Sequence, residues 1–338
     1  PVTVIANPAE GDIYNTASSA GTATISVVKG GSGTPVVSTL DEAFEYLQAG
    51  QPVQLAAGTY TFAGSGINGM SEDGVYTITN NFDLSAEEGA EVIIIGGFKF
   101  GAGAANVSLN GIKFSGNDEK IGNFLEDVNE DIITESVSVT NCEITGYNKS
   151  IIYKSQAAST IKEIEFSNNY IHDMGTKQGS FDFRKGTIAS LTVQNNVIAN
   201  GSRDMVRADD GVTGANSIII SNNTFYNITG GNSNGFARIR ATVTDGITIS
   251  KNVFVKMQSS NYPFVHSDTM STNTVKVNVD HNFFFDYHND WFSDMGQTEA
   301  TANGGAVLTA DPIPNAASGD FSVTGEAATA GAGATWPK

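Results

Sequence analysis

Seven short stretches of the chain repeat one order of apolar and polar positions: VSLNGIKF (107–114), VSVTNCEI (137–144), IEFSNNYI (164–171), LTVQNNVI (191–198), IIISNNTF (218–225), ITISKNVF (247–254) and VNVDHNFF (277–284). Each opens with β-branched or other apolar residues at alternate positions, which predicts a strand with one buried face. A polar turn rich in Asn follows, then a second apolar pair. The sixth positions are Ile112, Cys142, Asn169, Asn196, Asn223, Asn252 and Asn282, in steps of 27 to 30 residues. One such unit cannot bury its own apolar face, but stacked units share a continuous core. A column of Asn side chains also satisfies itself, because each amide can donate to one neighbour and accept from the other. The pattern predicts an all-β chain folded as a right-handed parallel β-helix. A propeller would need four strands in about 40–45 residues and its own turn signature, and neither is present.

The ends fit a single solenoid domain. Residues 38–50, STLDEAFEYLQAG, read as an amphipathic helix with a possible capping box at Thr39 and Glu42 and one apolar face of Leu40, Ala43, Phe44 and Leu47. That helix would plug the open end of the core. Residues 1–37 read as a separate strand region, and QPVQLAAGTYTF (51–62) as the first coil. Past Asp286 the repeat fades into a long loop and an irregular tail that runs to residue 338.

A second set of strands lies between the Asn-bearing ones: SIIYKS, SFDFRK, DMVRAD, FARIRA and PFVHSD. Alignment by apolar alternation predicts an inward file of Tyr153, Phe183, Val206, Ile239 and Val265. The next residues, Lys154, Arg184, Arg207, Arg240 and His266, would then form an outward file about 20 Å long. Asp182 and Asp209 each stand two residues from an arginine and share its face, Arg238 adds to Arg240, and Glu126 would extend the file one coil earlier. Like charges stacked in a sheet repel, so such a file calls for a partner.

Charge sharpens that expectation. The 338 residues include 36 acidic and 18 basic ones, a formal net charge of -18, which excludes nonspecific nucleic-acid binding. An anionic ligand must be held by a dedicated cluster of cations, and arginine suits carboxylate or sulfate because its planar fork binds two oxygens at once. The lone Cys142 rules out an internal disulfide. No apolar run of about 18 residues is present to span a membrane. Low lysine with abundant Asn, Gly, Ser and Thr, and an opening on PVTVIANPAEG without a leader pattern, suit a mature secreted or cell-surface monomer.

At Lys154-Ser155 and Phe183-Arg184-Lys185-Gly186 the chain resembles the β-helical polysaccharide lyases of the chondroitinase B and alginate lyase type, over roughly residues 100–285. The segment DPIPNAASGDFSV (311–323) is similar to β-helix proteins of bacterial polysaccharide-utilisation systems. The resemblance implies Lys154 as the base that removes the C5 proton of a uronic acid, and Arg184 as the group that assists at the leaving oxygen. Arg207, Arg238, Arg240, His266, Asp182 and Asp209 would bind substrate. In that family calcium, held by acidic residues just upstream of the lysine, neutralises the uronate. This chain carries Lys149, Ile151 and Ile152 there, so no metal or other cofactor is expected and arginine would take over the neutralisation.

The expected activity is therefore binding and β-elimination of an acidic polysaccharide. The alternative is a noncatalytic glycan-binding protein on the same scaffold, with a glycoside hydrolase third. Among other candidates, His172 and Asp173 read as corner residues and His281 as a hydrogen-bonding neighbour of the Asn column. His288, Asp290 and Trp291 read as a sugar-binding lip or a core anchor, and Asp204, Asp209 and Asp210 as a weak calcium or hydrolase site.

Overall fold

The seven octapeptides form strands that stack in register although the units differ in length, from 27 to 30 residues. The computed structural model describes residues 33–117, 120–127, 131–175, 180–201, 204–228, 236–257, 264–266, 276–292 and 295–336. It is a parallel β-solenoid whose coils each contribute to three faces. The first face is built from Val75–Ile78, Gly97–Phe100, Leu125–Asp127, Ile152–Lys154 and Ala237–Ile239, with the opening residues of the longer strands Phe181–Gln194 and Val206–Thr213. The second face carries the alternating halves of the octapeptides, for example Ile133–Thr140, Thr160–Ser167, Ala215–Ser221 and Val243–Ser250. The third carries their closing apolar pairs, including Glu143–Thr145, Tyr170–His172, Val197–Ala199 and Thr224–Tyr226. The strand Phe181–Gln194 runs round the corner between the first two faces and joins them into one 16-stranded sheet, while the third is a 10-stranded sheet.

Inward residues of successive coils stack on their own kind. Ile144, Ile171, Ile198, Phe225, Phe254 and Phe284 form one file of the third face. The rings of Phe225, Phe254 and Phe284 lie nearly parallel, with centroids 5.0 and 4.9 Å apart. At the corner between the second and third faces, the fifth octapeptide positions, Asn141, Asn168, Asn195, Asn222, Lys251 and His281, have φ of 48 to 59°. Asn tolerates this left-handed region better than other side chains do.

The sixth position then turns inward, and the Asn column is present as expected. Asn223 shows the full arrangement. Its Nδ2 donates to Val193 O (2.8 Å) and to Asn252 Oδ1 (3.0 Å), while its Oδ1 accepts from the backbone N–H and the Nδ2 of Asn196 (2.9 and 3.0 Å). All four hydrogen-bonding capacities of the amide are used without water. The ladder ends at Cys142, whose backbone N–H donates to Asn169 Oδ1. Its thiol is buried, and burial pushes its pKa up to about 12.

Helix α1 (Leu40–Gln48) has Thr39 as its N-cap, and Thr39 Oγ1 accepts from the Glu42 N–H. Ala43, Phe44 and Leu47 are buried against the first coils, so the helix closes the core as the sequence predicts. The strand region expected at 1–37 lies outside the described residues up to 32; Val36–Val37 pairs in parallel with Gln54 and Leu55.

Beyond Val307 the tail folds back over the outward side of the third face. Ile313, Phe321, Ala327 and Ala332 make a second apolar cluster with Val197, Tyr226, Val253 and Phe283. Thr224 clips this tail in place, donating to Ala334 O and accepting from Ala334 N–H. Trp291 is fully buried among Phe236, Phe254 and Phe264, which makes it a core anchor and removes it from any sugar-binding lip. The side chain of Asp290 lies outside the described residues. No helix among the described residues is long and apolar enough to cross a membrane.

Candidate functional site

The first face and its corner hold the lysine and arginines singled out for chemistry, in a different register from the one apolar alternation suggested. Ile152 pairs with Phe181, Phe181 with Val206, and Val206 with Ala237 as one inward file; Lys154, Phe183, Ala208 and Ile239 form a second inward file. Tyr153 therefore faces outward, in file with Asp182, Arg207 and Arg238, and Glu126 and Lys99 precede it. The expected single file of Lys154, Arg184, Arg207, Arg240 and His266 does not exist. Val265 bridges Ala237, which sets His266 beside Arg238.

Lys154 is the main correction. It has no exposed surface, and its ammonium is held by Asp127 Oδ2 (3.2 Å), Ser159 Oγ (2.5 Å), Ser159 O (2.9 Å) and Gln156 O (3.2 Å). Ser159 Oγ in turn donates to Asp127 Oδ2. Burial lowers the lysine pKa from its ordinary value, and Asp127 opposes that shift. Gly186 makes the arrangement possible: its φ is 76°, and a Cβ there would collide with Lys154 Nζ and with the carbonyl oxygens of Gln156 and Ser159. The Lys-Ser and Arg-Lys-Gly fragments that carry the lyase resemblance thus meet around an internal ion pair.

The arginines form a staggered pattern of charge. In the coil of Phe181 the pair is Asp182 and Arg184, with the guanidinium gripping the fully buried carboxylate through Nε (2.5 Å) and NH2 (2.7 Å). That hydrogen-bonded carboxylate raises the Arg184 pKa against the effect of burial. One coil on, the order reverses: Arg207 binds Asp209 through Nε (2.9 Å) and NH2 (2.7 Å). The register shifts by one residue between Phe183 and Lys185, a bulge of the kind that re-aims side chains. As predicted, Asp182 and Asp209 each share an arginine's face, and each neutralises it.

The third rung breaks the pattern, because Arg238 and Arg240 stand where the earlier coils hold one acid and one base. Arg238 is 8% exposed, and among the described residues its guanidinium has no hydrogen-bonding partner; its Nε is fully buried. Burial lowers its pKa, with Arg240 and Arg207 adding to that effect and Asp209 and Asp204 opposing it. A buried guanidinium stays charged in proteins, so the site carries positive charge together with vacant donors. The sequence already set Arg238 apart, since Arg240 and not an acidic residue stands two positions away; its burial was not legible there.

Elsewhere, His172 bridges Glu143 (3.1 Å) and Asp173 (2.7 Å) and stacks on Tyr170, with ring centroids 4.1 Å apart. His281 bonds Asp280 beside the Asn ladder. Asp204 is buried, whereas Asp210 is exposed, and no group of three or more metal-ligating side chains occurs among the described residues.

Comparison with known proteins adds one finding. A family model described as "Domain of unknown function (DUF4957)" matches residues 58–201. The match spans the coils from Gly58 through the ion pair of Lys154 and the first arginine rung, and it ends before Arg207. No curated protein and no solved structure gives a significant match.

Proposed function

We propose that the chain binds an acidic, uronate-bearing polysaccharide on its arginine face, as a secreted or cell-surface glycan-binding protein. The observation that supports this reading is Arg238, a nearly buried guanidinium without an acceptor among the described residues, beside Arg207 and Arg240. Leaving a buried polar group unsatisfied costs about 1–3 kcal/mol, and more when it is charged. A carboxylate supplies two acceptors in the plane of the fork, and its charge offsets the mutual repulsion of the arginines. The bidentate pairs at Arg184 and Arg207 hold the rungs rigid, so little ordering is needed on binding.

β-Elimination needs a base that reaches the C5 proton of the sugar. Lys154 is enclosed and its three N–H donors are already shared among four oxygens, which favours binding over cleavage.

Calorimetric titration with polygalacturonate, alginate and chondroitin sulfate tests the proposal. Arg238→Gln should weaken the best of these by about thirty-fold or more, the equivalent of about 2 kcal/mol. In the free protein the same change should raise stability by about 1–3 kcal/mol, since it removes a buried charge that has no hydrogen-bonded acceptor among the described residues. Binding should weaken as salt rises. Loss of stability without loss of affinity would make Arg238 structural and end the proposal. Ultraviolet absorbance from unsaturated uronate on the same panel would restore the elimination reading.

A further inference from the structure

The corner that follows the third face carries a second set of recognition groups, independent of the arginines. Asp173, Asn200, Asn227 and Lys256 occupy it on successive coils, all with left-handed φ of 51 to 58°. Asn200 Nδ2 donates to Asp173 Oδ1 (2.9 Å), and Asn227 Nδ2 donates to Asn200 Oδ1 (2.7 Å). Lys256 departs from this run of short side chains. A lysine gains nothing from a left-handed backbone, yet here its ammonium reaches back to donate to Tyr226 Oη (2.8 Å), with Nζ 5.0 Å from the ring centroid.

Between this corner and the returning tail lies a groove of about 340 Å³, at the lower end of the range for small-ligand sites. Tyr170, Tyr226 and Phe321 line it together with Asn200, Asn227 and Lys256. The Phe321 ring is 5.6 Å from each tyrosine ring. From Asn200 to Lys256 the groove spans two coil spacings, about 10 Å, or roughly two linked pyranose rings. Asn227 is half-buried, and its side-chain oxygen, without a partner among the described residues, can accept from a ligand hydroxyl.

We propose that this groove binds a neutral oligosaccharide. Tyr226 and Phe321 are nearly buried beneath the groove, 8% and 2% exposed, so recognition falls to the amides and the one ammonium, which suit sugar hydroxyls that both donate and accept. Local charge selects against an acidic sugar: Asp173 stands at one end, and Asp286 and Asp311 add their fields to the single Lys256. The chain would therefore read two parts of a mixed glycan, uronate at Arg238 and neutral sugar here.

The test is calorimetric titration with neutral hexasaccharides: cello-, xylo-, manno-, galacto- and laminarihexaose. At least one should bind, and Lys256→Gly with Asn227→Gly should weaken it about tenfold or more. Glycine relieves the left-handed backbone at both positions, so the variant should keep its unfolding midpoint. Arg238→Gln should leave this binding unchanged, which separates the groove from the acidic-glycan reading. Failure of all five sugars to bind overturns the proposal, as does binding that the glycine pair leaves intact.

Discussion

Replacing Lys154 by Met keeps most of the aliphatic stem and removes only the ammonium. What remains is the Asp127 carboxylate, 1% exposed, while the Ser159 carbonyl keeps the Thr187 N–H and the Gln156 carbonyl has the Ser159 hydroxyl within reach. Breaking a buried ion pair from one side costs about 3–5 kcal/mol, chiefly because the other charge is stranded. Against a total stability of about 5–15 kcal/mol, the variant should stay folded but unfold at clearly lower urea. Asp127→Leu alone should cost a similar amount for the mirror-image reason. The double variant removes both charges and strands neither carbonyl, because Thr187 N–H and the Ser159 hydroxyl still serve them, so it should be more stable than either single variant. Urea denaturation of the four proteins gives the coupling directly. A Lys154→Met cost below about 1 kcal/mol, or a double variant whose loss equals the sum of the singles, refutes the reasoning. Uronate binding should be unchanged in all four; its loss in Lys154→Met would mean that the lysine reaches the ligand after all.

Other predictions concern the scaffold. Asn223→Ala removes four hydrogen bonds and strands Val193 O and the Asn196 N–H, and it should cost about 3 kcal/mol or more in urea unfolding; a loss under about 1 kcal/mol would mean that the ladder does not hold the coils. Gly186→Ala should lower the melting temperature markedly, because its Cβ meets the Lys154 ammonium and two carbonyls at a φ of 76°. Burial lowers the His172 pKa, but the carboxylates of Glu143 and Asp173 outweigh it and the net shift is upward. Its contribution is thus complete below the unfolded value of about 6.5 and fades as pH rises through the folded value. The stability gap between wild type and His172→Gln should be wider at about pH 6 than at about pH 9; a constant gap refutes the ion-pair assignment.

The solenoid could be read from the chain because its signals are local and repeated. A strand of period two, a turn and a sixth-position Asn recur at 27 to 30 residues, and the capping helix announces itself through Thr39, Glu42 and one apolar face. The first face resisted reading for a physical reason. Ser-Ile-Ile-Tyr-Lys-Ser fits the core in either phase, with Tyr153 inside or with Ile152 and Lys154 inside. The choice is made by Asp127, 27 residues earlier, and Ser159, five residues later, which satisfy a buried ammonium. Nor could alternation reveal the bulge after Phe183. The tail was opaque because Ile313, Phe321 and Trp336 stand scattered among small residues and carry no periodic signal.

That tail changes how the molecule comes apart. A solenoid with contacts only between adjacent turns can unravel from a free end, one turn after another. Here Thr224 fastens Ala334, and Trp336 stacks on Tyr170 at 5.3 Å, so the terminal segment reaches back across several turns like a strap over a rolled mat. The last turns cannot peel away until the strap lets go, and they should melt and yield to proteases as one block.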